Sequence, residues 1–359
     1  MANGAQQQRT WSIDELRLKS RLIRATCVQM AFDAKQGHLN GAMSCVDILV
    51  ALYYGWLNVA PPRSGQAMAA VRGAAAGTPP SPSPCTQGEG WGEGSNAPAA
   101  QLPPMTGRPS PYPSPSVQGE GTREGNPSIG LCMLADPARD RFVFSKGHAC
   151  KSLYAVLADR GFIPLEWLAG YARNDSPLPM HPCKHALGIL ETSAGSLGHG
   201  LGIATGMAYA LRLDNNPARC VALLSDGECN EGSTWEAAMF AAAHKMDSVL
   251  AIVDYNRVQS VGRTDDLTGG TSFEEKFRAF GWSARTIDGH DIPQILAALA
   301  EVPFERGKPT AIIARTRAGA GVSFMEDQVL WHYRAPSQDD LDRALAELGA
   351  RPIYTPGRA

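Results

Sequence analysis

The apolar positions along the chain follow two different periods. Val221-Ala222-Leu223-Leu224-Ser225 and Val249-Leu250-Ala251-Ile252-Val253-Asp254 are short runs with no polar alternation, as in strands buried on both faces. Segments 141–144, 282–287 and 309–314 read as further strands. Between them lie stretches rich in helix formers at 233–244, with Ser233 as its N-cap, and at 273–280 and 292–300. Nearer the start, Ser12-Ile13-Asp14-Glu15 has the pattern of a capping box. It opens a helix that places Leu16, Ile23, Cys27 and Met30 on or near one face and runs toward Asp33. Further helices are predicted over 44–56, 151–159 and 339–348. Strands alternating with helices predict an α/β fold, a mostly parallel sheet flanked by helices on both faces.

That pattern collapses between residues 61 and 127, where Pro, Gly, Ser and Ala dominate. Within this stretch the fourteen residues from Ser81 recur from Tyr112, and nine of the fourteen aligned positions are identical. A segment so poor in large apolar side chains does not offset its ordering entropy, so it is expected to be a disordered insertion. A long surface loop is tolerable because closure entropy grows slowly with length. The expected organisation is one folded domain from 1–60 and 128–350, with the insertion at 61–127 and a tail at 351–359.

Composition narrows the functional classes. With 359 residues, 44% of them hydrophobic, the chain can bury a full core. A formal net charge of −2 gives no general pull toward nucleic acid or anionic membrane. The polar start from Met1 to Thr10 and the lack of any span of eighteen apolar residues lead us to expect a cytoplasmic protein. The eight cysteines are dispersed, without a CxxC pair, as expected of reduced thiols. Cys229 alone falls near candidate chemistry.

The candidate chemistry lies where two predicted strands end. Asp226-Gly227-Glu228 follows the first apolar run, and Asn256 follows the second, thirty positions later. A strand-helix-strand unit of this length puts both strand ends on one edge of a parallel sheet, the edge at which such sheets bind ligands. A carboxylate and an amide there suit a hard divalent cation, which takes one or two protein oxygens and fills its remaining positions with phosphate oxygens and water. Gly227 permits close approach of backbone to phosphate, and the following helix start offers N–H groups to an anion.

These residues, together with four further segments, resemble the transketolase family. The segments are Gly37-His38, Ser145-Lys146-Gly147-His148, Gly195-Ser196-Leu197-Gly198-His199-Gly200, and Gly319 to Glu326 followed by Trp331-His332. The resemblance runs from residue 11 to 348 and skips only the 61–127 insertion. It implies the thiamine diphosphate-binding fold and transfer of a two-carbon ketol unit from a ketose phosphate to an aldose. It also implies Mg²⁺, or Ca²⁺ or Mn²⁺ in its place, held by Asp226, Asn256 and the carbonyl of Val258.

By the same resemblance His38, His148, His181 and His332 line the substrate and cofactor funnel, and histidine suits proton transfer near neutral pH. Gly195, Ser196, Leu197, Gly227, Glu228, Asn256 and His148 fall at cofactor-binding positions. Ser196 and His199 stand where the family carries proline and glutamine, so contact at His199 is left open. Glu231 falls where the family has an interface glutamate coupled to the opposite active site. His185, His244 and His290 lie outside these motifs and are given no role.

The family's activating glutamate belongs to a later pyrimidine-binding domain, and the sequence reaches Ala359 before one begins. The resemblance therefore implies the N-terminal subunit of a split transketolase, completed by a separate C-terminal subunit, as a dimer of heterodimers. The alternatives are another thiamine diphosphate enzyme, such as a deoxyxylulose-phosphate synthase or a pathway-specific ketol transferase, and a non-catalytic pseudo-subunit.

Overall fold

The computed structural model describes residues 10–61, 136–174 and 176–355. The 61–127 insertion and the expectation of disorder there lie outside these residues, apart from residue 61 itself. So do residues 356–359 of the tail.

The capping box forms as the sequence expects. Helix α1 (Ile13–Ala34) begins with Ser12 Oγ accepting from the Glu15 amide at 3.2 Å, while the Ser12 amide donates to Glu15 Oε2 at 2.8 Å. The helix predicted over 44–56 is instead three pieces: α2 (Leu39–Ser44), α3 (Val46–Ala51) and a π-helical turn (Leu52–Trp56). Local periodicity missed the early start because His38, the residue before α2, has a left-handed backbone (φ 60°). Cys45 (ψ 6°) then interrupts the two short helices.

After the insertion come β1 (Arg141–Phe144), α4 (Cys150–Asp159), α5 (Gly200–Leu213), β2 (Cys220–Ser225), α6 (Gly232–Ala243) and β3 (Val249–Tyr255). A small hairpin, β4 (Val258–Gln259) and β5 (Gly262–Arg263), leads to α7 (Thr264–Thr268) and α8 (Phe273–Ala279). The chain then forms β6 (Ser283–Asp288), α9 (Ile292–Ala300), β7 (Thr310–Arg315) and α10 (Gln338–Leu348). Helix α5 had no sequence expectation; Gly200, Gly202 and Gly206 obscure its period. Ser233 does not cap α6. Glu231 holds the N-cap position without a side-chain bond, and Ser233 Oγ instead donates to the Gly198 carbonyl at 2.9 Å.

The five main strands form one all-parallel sheet in the order β1-β2-β3-β7-β6. Every residue of β2 is buried, as are six of the seven in β3. Alternate side chains feed two cores. Val221, Leu223, Leu250, Ile252 and Ile312 join the layer containing α1, α3, α4 and α9. Ala222, Leu224, Ala251, Val253 and Ile313 join the layer containing α5, α6 and α8. A parallel sheet needs both faces covered, which explains the unbroken apolar runs in its strands. Each fully buried Leu or Ile contributes roughly 1.5–3 kcal/mol of transfer free energy. The packed sheet thereby fixes the edge at which β2, β3 and β7 end together.

Candidate active site

Asp226 and Asn256 sit immediately beyond the ends of β2 and β3, which pair in parallel with Ser225 opposite Asp254. Asp226 is 1% exposed. Its Oδ1 accepts from the Gly227 amide at 3.0 Å, and its Oδ2 accepts from the Arg257 amide at 2.8 Å and Thr264 Oγ1 at 2.6 Å. Burial pushes its carboxyl up to about 6, against the opposing pull of these donors. Asn256 donates through Nδ2 to Ser44 Oγ at 3.2 Å, and its Oδ1 accepts from the Val258 amide at 3.0 Å. The two predicted metal ligands and Val258 are thus drawn to one place by the β3–β4 turn.

Asp254 and Lys146 carry the charge at the centre of the site. Lys146 Nζ pairs with Asp254 Oδ2, and neither side chain reaches solvent. Ser44 Oγ donates to the same oxygen at 2.6 Å, while Thr316 Oγ1 donates to Oδ1. Burial works against the Lys146 ammonium, but the neighbouring Asp254 outweighs it and raises its pKa. The motifs in the sequence assign no role to Asp254 or Ser44. The signal that could have found Asp254 is a carboxylate ending a wholly apolar strand, a position costly to fill unless the charge is paired.

The four histidines converge from four separate segments. His38 has its ring centroid 6.0 Å from His148, 6.5 Å from His181 and 5.3 Å from His332, and His148 lies 5.7 Å from His332. The His38 amide donates to the His332 carbonyl at 2.7 Å, which joins the start of α2 to the 329–332 turn. Gly37 makes that junction possible, since a Cβ there would stand 2.3 Å from the Tyr333 carbonyl oxygen.

All four imidazoles favour the neutral form. Burial, then Lys151, lowers His38 to about 4; burial, then Lys146, lowers His332 to about 4 and takes His148 well below its ordinary value. His181 is lowered by burial and then by Lys151. Among the described residues no protein group hydrogen-bonds any of these rings, so their nitrogens are free to meet a ligand.

The Gly195–Gly200 segment runs into α5. Gly195, Ser196 and His199 are exposed, Leu197 is half-buried, and Gly198 and Gly200 are buried. His199 turns its Nδ1 back toward the carbonyls of Ser196 and Leu197, at 3.3 and 3.2 Å. Gly227 follows Asp226, whereas the Glu228 side chain is 0% exposed and faces the protein interior. Glu231 is exposed at the start of α6. Cys229 is buried, with a thiol pushed well up by burial.

His290, outside every motif, also has a defined place. Its Nδ1 meets Asp47 Oδ2 at 2.8 Å, its Nε2 accepts from the Arg317 amide at 2.8 Å, and Arg24 grips Asp47 in turn. Arg24, Asp47, His290 and Arg317 line an open cleft of about 1590 Å³ along the tips of β6 and β7.

The donor set fits a divalent ion bridging to phosphate. Asp226 is a buried carboxylate held only by neutral donors, and Lys146, the cation acting on it, is already paired with Asp254. Among the described residues no group of three or more His, Cys, Asp or Glu side chains could hold a metal. An ion here would draw on one carboxylate, one amide and a carbonyl from the protein and would need a ligand to complete its shell. Gly41 leaves a cradle beside these groups, since a Cβ on it would lie 3.1 Å from His148 Nε2 and 3.7 Å from Lys146 Nζ.

Residues 134–355 match the family described as transketolase, thiamine diphosphate binding domain, more than half of the chain. The chain belongs to the transketolase family. Its place in that family is the N-terminal, thiamine diphosphate-binding part. It is 40% identical over 215 residues to an apulose-4-phosphate transketolase subunit of Actinobacillus succinogenes, covering 60% of this chain and 78% of that one. The 6-deoxy-6-sulfo-D-fructose transketolase subunit SqwG of a Clostridium species is 39% identical over 213 residues, covering 59% and 77%.

The corresponding apulose-4-phosphate transketolase subunit from Phocaeicola vulgatus is 28% identical over 94% of this chain and 95% of its own. Among solved structures, the transketolase of Campylobacter jejuni shares the fold, with a TM-score of 0.70 at 23% identity. That match covers 96% of this chain and 44% of the Campylobacter protein, so the chain spans less than half the length of that transketolase. The relatives are transferases of the transketolase type, and the matched domain binds thiamine diphosphate.

Proposed function

We propose that this chain is the cofactor-binding subunit of a two-chain transketolase, which moves a two-carbon ketol unit from an anionic ketose to an aldose. The observation that carries the reading is the convergence of His38, His148, His181 and His332 on one edge of the sheet, the edge where Asp226 and Asn256 also stand. Thiamine diphosphate, when bound, supplies a carbon nucleophile that no side chain can provide. Asp226, Asn256 and the Val258 carbonyl would hold Mg²⁺ against its diphosphate. Gly195, Ser196 and Leu197 offer the edge of the loop that would lie along the cofactor's rings.

The histidines supply positioned proton carriers. A ring that is neutral at pH 7 accepts a proton at a free nitrogen, and four rings at 5.3–6.5 Å reach several hydroxyls of one bound sugar. Glu231, exposed on the start of α6, is available to a neighbouring subunit, and we assign it to the interface of a dimer of heterodimers.

The partner is a separate C-terminal transketolase subunit carrying the pyrimidine-binding domain. Relatives named as subunits support this reading. Their names also favour a specialised sugar over the common pentose phosphates, which makes a pathway-specific ketol transferase the second reading. No helix among the described residues is long and apolar enough to cross a membrane.

The deciding experiment mixes the chain with a separately expressed C-terminal transketolase subunit and assays two-carbon transfer from a panel of ketose phosphates. Transfer that needs both polypeptides, thiamine diphosphate and Mg²⁺ supports the proposal. Full activity of either chain alone, or pyruvate decarboxylation in place of ketol transfer, defeats it.

A further inference from the structure

The tip of β2 carries two acidic side chains with opposite orientations. Asp226 stands at the predicted metal site, while Glu228, two residues on, is buried and, among the described residues, pairs with no Lys or Arg. Its Oε1 accepts from Ser145 Oγ and from the Gly198 amide at 2.9 Å, and its Oε2 accepts from the Ser225 amide at 3.4 Å. Ser145 Oγ in turn accepts from the Gly200 amide at 3.1 Å. Ser233 Oγ donates to the Gly198 carbonyl at 2.9 Å, so the Gly198 residue is held through both its N–H and its C=O.

Three segments therefore meet on one carboxylate. They are the β2 tip that bears Asp226, the Ser145–His148 turn that bears Lys146 and a funnel histidine, and the Gly195–Gly200 loop. The packing leaves no slack at the junction. A Cβ on Gly198 would stand 2.6 Å from the Glu231 and Ser233 side chains, and one on Gly200 would stand 2.1 Å from Ser145 Oγ. The residues held inward, Gly198 and Gly200, flank the exposed His199, and Ser196 before them is exposed too. The contacts of Gly198 and Gly200 thus decide which edge of the loop faces a ligand.

We infer that Glu228 is a positioning residue: a buried carboxylate that sets the Gly195–Gly200 loop and the Ser145–His148 turn at a fixed height above the metal-binding strand tip. The inference rests on the proposed cofactor site, since the loop matters for catalysis only if it lies along the cofactor. A glutamine at 228 keeps one carbonyl oxygen for Ser145 and Gly198 but turns an NH₂ toward the Ser225 amide. An alanine removes every arm. Glu228→Gln is therefore the conservative variant and Glu228→Ala the severe one.

The experiment has two readouts. The first is hydrogen exchange of the Gly198 and Gly200 amides in the full chain without cofactor, below the melting temperature of every variant. Glu228→Ala should speed both amides at least about tenfold, Glu228→Gln by less than about threefold, and Ser145→Ala should speed Gly200 alone. The second is Mg²⁺-dependent thiamine diphosphate binding to the two-chain complex, with kcat measured at saturating cofactor. Glu228→Ala should weaken binding and lower kcat about tenfold each, and Glu228→Gln should recover most of both.

A residue that served only fold stability would lower the melting temperature and leave kcat at saturation unchanged; that result overturns the inference. Unchanged exchange at Gly198 and Gly200 overturns it as well. If the wild-type complex takes up no thiamine diphosphate, the functional reading falls, and the exchange readout still decides whether Glu228 holds the loop.

Discussion

Lys146 and Asp254 form an ion pair in which neither side chain is accessible to solvent, and the pair joins the Ser145–His148 turn to the end of β3. Removing one charge strands the other in a medium where an unpaired ion is costly, whereas replacing both removes the penalty together with the attraction. Lys146→Ala should therefore lower stability by about 3–5 kcal/mol, close to unfolding for a domain of ordinary stability. Lys146→Met combined with Asp254→Asn should recover more than half of that loss. Urea unfolding followed by circular dichroism checks both; an Ala variant within 1 kcal/mol of wild type, on the ~1 kcal/mol scale of exposed pairs, would contradict the pairing.

Asp226 accepts three hydrogen bonds from neutral donors, so its replacement by Asn leaves the packing nearly intact while removing the charge a divalent ion requires. Asp226→Asn should weaken Mg²⁺-linked thiamine diphosphate binding by about 100-fold, or roughly 2.7 kcal/mol. Chelating the metal from wild-type protein should have an effect of similar size. Titration calorimetry with and without chelator reads both, and wild-type affinity in the variant would place the metal elsewhere.

Among the described residues nothing hydrogen-bonds the rings of His38, His148, His181 and His332, and the ring centroids of the other three lie within 6.5 Å of that of His38. Replacing His148 or His38 with Ala should lower kcat by about 10²–10⁴, the usual contribution of a positioned acid or base. Cofactor affinity should change much less for His38 than for His148, whose Nε2 faces the Gly41 cradle beside Lys146. Steady-state kinetics of the two-chain complex, with cofactor binding measured separately, tests the split.

The depressed histidine values make stability depend on pH. His38 and His332 fall to about 4 in the folded chain from an ordinary value of 6.5. Between those values the unfolded chain binds more protons than the folded one, so stability rises with pH. The contribution is fully present above about 6.5, declines as pH falls toward 4, and levels off below that. Melting temperature should drop between pH 7 and pH 4.5, and a His38→Asn/His332→Asn double variant should show a shallower drop over the same range, because two of the titrating groups are gone.

Local sequence specified the elements wherever one period dominates. The two apolar runs became β2 and β3 within a residue of their expected ends, and the Ser12 capping box opens α1 at Ile13. It was less informative where the backbone serves a contact across the fold. The left-handed His38 and the break at Cys45 split the 44–56 helix into shorter pieces, and the glycines at 200, 202 and 206, of which only Gly200 lies where a Cβ would clash, hid α5.

The sequence by itself determined the apolar strands of a two-sided parallel sheet and the carboxylate and amide that follow two of them, because burial on two faces and a carboxylate–glycine tip are written in neighbouring residues. It also named the four histidines by their motifs. Only the tertiary structure decided which charges neutralise one another and what holds the loops. Lys146 finds Asp254 across 108 positions, and Glu228 finds Ser145 across 83. Partners that far apart leave no period or spacing to read, since what joins them is the sheet that brings its strand ends to one edge.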